Sequence, residues 1–417
     1  MKKNGFTLVE LLSIVVILGI IVVVALPQIS GSIGSKKEKQ YNKIVKIVEN
    51  AGKVYLTENG TMDSVSIDKL IESDYLTSGL KNPINNTPLT GCVKKITSDG
   101  VTKYKYEVDN CPNYLTTYIM DLYDNEETRT SNGLKKDNTH EQNIRYYGAN
   151  PNNYVRFNNE LWRIIGVFEN NVKLIRKDSL GNLVWDTSES SVNHGWGVNE
   201  WSQSALKNYL NTMYYGGTSV TCYNGENNQT TTCPKDRNGN FLTMDETSKE
   251  LIDYHTWNTG APNSSTLYNS TTKSYDTVEF YKAERGTVNG KICTGGGYCN
   301  DTVTRTTSWT GYIGLSYITD YAYASSENDC NTKIDQSSTY KCKKNNWMFK
   351  PTKAYWKLSP KDSSYQASGV WVVNGDGNAG GGGTSDARTV FPAIYLKSNV
   401  LKLEGTGTST DPYELSL

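Results

Sequence analysis

Two kinds of hydrophobic pattern divide this chain. From Phe6 to Leu26 most positions are apolar and Glu10 is the single charge. A run of about 21 such residues is long enough to cross a hydrocarbon core as a helix. Beyond Pro27 the pattern becomes amphipathic. Tyr41, Ile44, Val45, Val48, Ala51, Val54 and Tyr55 recur at helical spacing, with Lys36, Lys37, Lys39, Lys43 and Lys46 among or before them. Ser30-Gly-Ser-Ile-Gly-Ser35 separates the two halves, because two glycines weaken a helix there, and Asn59-Gly60 ends the second half with residues that accept a left-handed backbone.

The pattern then shortens and begins to alternate. Residues 66–76 predict a short helix with Ser66 or Asp68 as its cap. Gly91–Thr97 and Val101–Val108 predict a hairpin turning at Ser98-Asp-Gly100. Residues 113–150 are polar, with helical potential only around Tyr118–Tyr123, and are expected to be a connector. Strand-like runs follow at 153–168, turning at Asn158-Asn159, and at 172–176, 346–349, 355–359 and 369–375, with further apolar segments at 311–324 and 389–396. Trp201–Asn211 is the clearest later helix, with Trp201, Leu206 and Leu210 roughly on one face and Ser202 as a cap. Trp162, Trp185, Trp347, Trp356 and Trp371 fall inside strand-like runs and are expected in a core.

Composition sharpens this reading. The 417 residues exceed one average domain, and past residue 30 they are rich in Asn, Thr, Gly and Tyr, which favour strands and turns. With 43 basic and 43 acidic residues the formal net charge is zero, so no nucleic-acid partner is expected. The eight cysteines, Cys92, Cys111, Cys222, Cys233, Cys293, Cys299, Cys330 and Cys342, all follow the apolar segment and form no C-x-x-C motif. In an exported chain they read as disulfides. The simplest pairing joins sequence neighbours, Cys92–Cys111, Cys222–Cys233, Cys293–Cys299 and Cys330–Cys342, although eight cysteines allow many connectivities.

Lys2 and Lys3 precede the apolar run and hold that end in the cytoplasm. A secretory signal would have a shorter apolar core followed by a cleavage site, whereas here the small residue Gly5 comes first. The stretch Lys-Lys-Asn-Gly-Phe-Thr-Leu-Val-Glu resembles the class III signal of type IV pilins and pseudopilins. The resemblance covers about the first thirty residues and includes Gly19 and Pro27. It implies cleavage between Gly5 and Phe6 by a prepilin peptidase, N-methylation of Phe6, and an assembly role for Glu10. A carboxylate buried without a partner costs several kcal/mol, and the α-amino group of a neighbouring subunit's Phe6 would be that partner.

The resemblance sets the expected domains: leader 1–5, pilin helix 6–58 with 6–26 transmembrane, small head 59–112, connector 113–150 and a β-rich extracellular module over 151–417. The fold class expected is α+β. The later segments Trp162-Arg-Ile-Ile-Gly166, Trp201–Asn211 and Pro392–Ser398 resemble a secreted module that recurs in Gram-positive surface proteins. Their layout is similar to C-type-lectin-like and formylglycine-generating-enzyme-like folds.

Candidate chemistry is sparse. His140, His194 and His255 form no H-E-x-x-H motif and flank no nucleophile motif, and the Glu126-Glu127 and Asp245-Glu246 pairs read as solvated charges. No enzyme activity, metal or cofactor is expected. Asn374-Gly-Asp-Gly-Asn378 sets oxygen-bearing side chains at alternate positions but lacks the frame of a calcium-binding EF-hand loop. Tyr223, Tyr298 and Trp196, in loops the cysteines would pin, suit contacts with a glycan or protein. The expectation is a minor or tip pilin-like subunit, held in the membrane before assembly and on the cell surface after it. It assembles with other pilin subunits and binds an extracellular ligand. The alternative is a pseudopilin of a secretion or DNA-uptake machine.

Overall fold

The computed structural model describes residues 33–58, 63–98, 100–109, 111–187, 196–262, 267–272, 274–286, 305–335, 341–361 and 368–417. The chain divides into two units, Met1–Asn113 and Tyr114–Leu417.

In the first unit, helix α1 spans Ile33–Glu58. It is already helical at Ile33, so the glycine-containing separator predicted up to Ser35 is helix at its described end. Ile44, Val48, Ala51, Tyr55 and Leu56 are buried along one stripe, while Lys36, Lys37, Lys39, Lys43 and Lys46 are exposed. The stripe faces strands β1 (Ser64–Ser66), β2 (Cys92–Ser98) and β3 (Val101–Glu107), an antiparallel sheet in that order. Gly52 sets the closeness of approach: a Cβ there would lie 2.4 Å from Cβ of Val93 on β2. Helix α2 (Ile67–Glu72) begins at Ser66, whose hydroxyl accepts from the Lys69 amide, and brings Ile67 and Leu70 to the same core. Cys92 and Cys111 are bonded across the ends of the β2–β3 hairpin.

The second unit has one core around two sheets. Strands β4 (Leu134–Lys136), β5 (Ile144–Tyr146), β6 (Tyr154–Phe157), β7 (Glu160–Phe168) and β8 (Asn171–Arg176) come first in sequence. They combine with β10 (Ile313–Leu315) and β15 (Pro392–Tyr395) in the order β10-β15-β8-β7-β5-β4, with β6 also on β7. Asn158 and Asn159, both at φ 55°, turn β6 into β7. This is the left-handed pair that a tight hairpin requires.

The second sheet uses β9 (Asn182–Leu183), β11 (Tyr355–Pro360), β12 (Gly369–Val373), β13 (Ala379–Gly383) and β14 (Arg388–Thr389), in the order β13-β12-β11-β14-β9. Trp162, Trp185, Trp356 and Trp371 are fully buried and Trp347 nearly so. Disulfides join Cys222 to Cys233 and Cys330 to Cys342; Cys293 and Cys299 lie outside the described residues.

The predicted connector needs correction. Within it, helices α3 (Leu115–Asp124) and α4 (Glu126–Asn132) precede β4 and β5, and Leu115, Ile119, Leu134, Ile144 and Tyr146 are buried in the core of the second unit. Each element is short and buries one face, so polar residues dominate the composition although the segment is structural. The 201–211 helix also differs from expectation. A 3-10 turn at Trp201–Gln203, capped by Glu200, comes first. Ser204, not Ser202, then caps the helix at Ala205–Asn208, which widens over Tyr209–Tyr215.

Candidate functional site

Gly5, Phe6 and Glu10, the residues assigned to processing and assembly, lie outside the described residues, as does the 6–26 apolar run. Among the described residues no helix is long and apolar enough to cross a membrane. The site chemistry that can be built from side chains therefore belongs to the second unit.

Its most highly charged centre is enclosed. Arg145 on β5 bridges two carboxylates, with Nε 2.8 Å from Asp137 Oδ2 and Nη1 2.6 Å from Asp320 Oδ1. Lys173 on β8 places Nζ 2.7 Å from Asp320 Oδ2, which also accepts from the Tyr317 amide at 2.9 Å. Asp320 sits in helix α6 (Ile318–Tyr323), and Glu284, in helix α5 (Thr277–Arg285), accepts from the Thr319 amide and hydroxyl. Lys357 of β11 donates to the Ser316 hydroxyl. Arg145, Asp137, Lys173, Glu284, Asp320 and Lys357 are all buried.

Burial opposes ionisation of Asp320, yet Lys173 and Arg145 together hold its carboxyl well below the usual range. Burial lowers Lys173 to about 8 and Lys357 to about 7, and it raises Glu284 to about 7. Such values also occur at catalytic sites, but here the charges are buried where β5, β8, β11, α5 and α6 meet. Their evident work is to fix how these elements meet.

An open aromatic ledge lies elsewhere on the unit. Tyr215 ends the widened helix, and Tyr312 sits between β10 and the strand Ser308–Gly311. Their rings stack at 4.0 Å with 13° between planes. Tyr254, 60% exposed, lies 4.8 Å from the Tyr312 ring, and Lys249 Nζ lies 5.6 Å from the Tyr215 ring.

Backbone bonds hold this geometry. Asn211 clamps Ile313 from both sides, donating Nδ2 to its carbonyl at 2.9 Å and accepting from its amide at 3.0 Å. That clamp ties the helix to β10 beside the stack. The Asp253 amide donates to the Tyr395 carbonyl at 2.8 Å, and His255 pairs with Gly311, which positions Tyr254 between them. Tyrosine faces of this kind offer apolar area with hydroxyls at the rim, suited to sugars and to protein side chains.

The sequence readings meet this geometry unevenly. Tyr223 is half-buried in the strand Cys222–Tyr223, Trp196 is half-buried with its carbonyl accepting from Thr384, and Tyr298 lies outside the described residues. Neither Tyr223 nor Trp196 belongs to the ledge. Tyr215, Tyr254 and Tyr312 were missed because they are far apart in sequence and only Asn211 and the strand pairing unite them.

Asp376 and Asn378 spend side-chain oxygens closing the β12–β13 hairpin: Asn374 donates Nδ2 to Asn378 Oδ1 and its backbone amide to the Asn378 carbonyl, and Asp376 accepts from the Asn378 amide. Among the described residues no group of three or more His, Cys, Asp or Glu is placed to hold a metal. His140 is exposed, His194 lies outside the described residues, and His255 stacks on Tyr395 at 3.7 Å with Nδ1 3.0 Å from Asp253. Two acidic pairs find helix-end roles: Asp245 caps the helix Glu246–Leu251, while Glu126 and Glu127 occupy the first turn of α4.

No curated protein and no solved structure matches this chain. Residues 1–26 match the family model of the prokaryotic N-terminal methylation motif, so the chain carries a type IV pilin-like N-terminal signal.

Proposed function

We propose that this protein is a minor or tip subunit of a type IV pilus-like filament, presenting its second unit for adhesion. One observation carries the reading: a methylation motif over residues 1–26 heads a chain whose last 300 or so residues form a unit with its own core. The motif implies cleavage by a prepilin peptidase and assembly with other pilins. On this reading Gly5 and Phe6 flank the cut, the 6–26 helix anchors the precursor in the membrane, and Glu10 meets the new amino terminus of a neighbour. The Tyr215–Tyr254–Tyr312 ledge is the binding surface, for a glycan or a protein.

A subunit this large would crowd a helical lattice, so it should be scarce beside a smaller pilin in sheared filaments; equal abundance would overturn the minor-subunit assignment. The direct test labels the second unit on intact cells, in the wild type and in Glu10→Ala. Label on filaments or at their tips that retreats to the membrane in the variant is the expected result. Label confined to the membrane in both would favour the pseudopilin alternative and remove the support for adhesion.

A further inference from the structure

The first unit carries one strongly charged surface that the adhesive role does not use. On α1, Lys36, Lys39, Lys43, Lys46 and Lys53 follow one another in steps of three and four residues, with Asn50 filling the place between the last two. Such steps keep side chains on one side of a helix, and all of these residues are exposed. The row runs for about 26 Å along the helix axis.

The acids of the same helix do not answer this charge. They are Glu38, Glu49 and Glu58. Glu49, four residues before Lys53, turns instead to β3 and accepts from the Tyr106 amide at 3.2 Å, and Glu58 accepts from the Tyr75 hydroxyl. Glu38 stands beside the row and not in it. Among the described residues, the ammonium groups of Lys39, Lys43, Lys46 and Lys53 make no ion pair and no hydrogen bond.

Three kinds of anionic partner could meet such a row, and they ask for different surroundings. A membrane surface takes up a helix by burying its apolar face, but the stripe of Ile44, Val48, Ala51 and Tyr55 on α1 is already packed in the core of its own unit. Nucleic acid is held by cations together with stacking aromatic rings or arginine planes, and the row contains neither. An acidic helix fits, because steps of three and four residues are the seam along which two helices pack side by side. Helix α1 also follows closely in the chain on residues 1–26, the motif that implies assembly with other pilins.

We infer that the lysine row is a docking seam for the helix of a different pilin subunit, one that carries carboxylates at the same spacing of three and four residues. Two copies of this chain are unsuited to meet there face to face, since like charges would oppose along the whole row. The inference rests on the pilin reading proposed above and adds the chemistry of the partner.

The test uses the full-length protein in neutral phosphatidylcholine vesicles, with a charge-reversed copy, Lys39→Glu/Lys43→Glu/Lys46→Glu/Lys53→Glu, as the acidic partner. A carbodiimide, which joins a carboxylate to an amine in contact with it, traps the seam, and peptide mass spectrometry maps it. All four positions are exposed, so the variant should fold. Circular dichroism checks this, and Lys39→Glu/Lys43→Glu takes its place if it does not. Mixed cross-links between residues 36–53 of the two copies should exceed those formed by either copy alone by about tenfold, the joint effect of four individually weak exposed pairs. They should fall at high salt.

Mixed cross-linking no greater than for the wild type alone, or mapping outside residues 36–53, would overturn the inference. Loss of the cross-links on adding phosphatidylglycerol to the vesicles would give the row to anionic lipid and overturn it equally. Filaments play no part in this measurement, so its failure is distinct from a failure of the labelling experiment on cells.

Discussion

Glu284 shows how much one buried side chain decides. Burial is the chief influence on its carboxyl and pushes it up to about 7, with Arg285 and the Thr319 hydrogen bonds pulling the other way. The folded protein thus holds a proton on Glu284 that the unfolded chain releases near the ordinary value of 4.5. The stabilisation is complete below that value and is lost as pH rises through about 7. Relative to a Glu284→Gln variant, which keeps the shape without the titration, the wild type should lose on the order of 3 kcal/mol between about pH 4.5 and 7. Urea denaturation across that range would measure it, and parallel stability profiles for the two proteins would refute it. Asp320 behaves in the opposite sense, its ionised form being held by Lys173 and Arg145. Converting it to Asn should cost about 3–5 kcal/mol, because two buried cations would lose their shared partner; a denaturation midpoint close to wild type would show that the centre can relax.

At the scale of elements, the clamps and staples are local and separable. Asn211 satisfies both backbone groups of Ile313, so Asn211→Ala leaves a donor and an acceptor unmatched. We expect a loss of about 1–3 kcal/mol, together with loosening of the Tyr215–Tyr312 stack that circular dichroism in the aromatic region would register. Unchanged aromatic dichroism would mean that other contacts hold the ledge. The Cys92–Cys111 bridge closes a separation of 19 residues around the β2–β3 hairpin. Replacing both cysteines by alanine should destabilise the first unit by about 3 kcal/mol. Gly166 illustrates a different constraint. The pairing of β7 with β8 shifts register between Ile164 and Gly166, and a Cβ on Gly166 would lie 2.2 Å from the Ile144 carbonyl. The close approach of β5 beside the bulge thus requires the glycine.

For the whole molecule, two units with separate cores predict two unfolding transitions in calorimetry. The cysteine replacement just described should lower only the transition of the smaller unit; a single transition that moves as one would contradict independent cores. Much of the smaller unit was legible beforehand. The stripe on α1, the Ser66 cap and the β2–β3 hairpin each depend on residues near one another in sequence, where periodicity and turn chemistry act directly. The 113–150 segment was misread for the converse reason: α3, α4, β4 and β5 are short, and their apolar faces count only against strands that arrive later in the chain. The pairings Cys222–Cys233 and Cys330–Cys342 follow the sequence-neighbour rule, because short loops bring their ends together at little entropic cost.

The prepilin signal, the amphipathic helix, the β2–β3 and β6–β7 hairpins and the burial of Trp162, Trp185, Trp347, Trp356 and Trp371 are each legible in spacing within a few residues, whereas the burial of Trp257 is not. Long-range packing alone brings Arg145, Lys173, Glu284, Asp320 and Lys357 into one enclosed centre. The same long-range packing sets Tyr215, Tyr254 and Tyr312 together as a ledge. The physical reason is the same in each case. Desolvation and charge pairing act on distance in space, and strands remote in sequence set that distance when they pair.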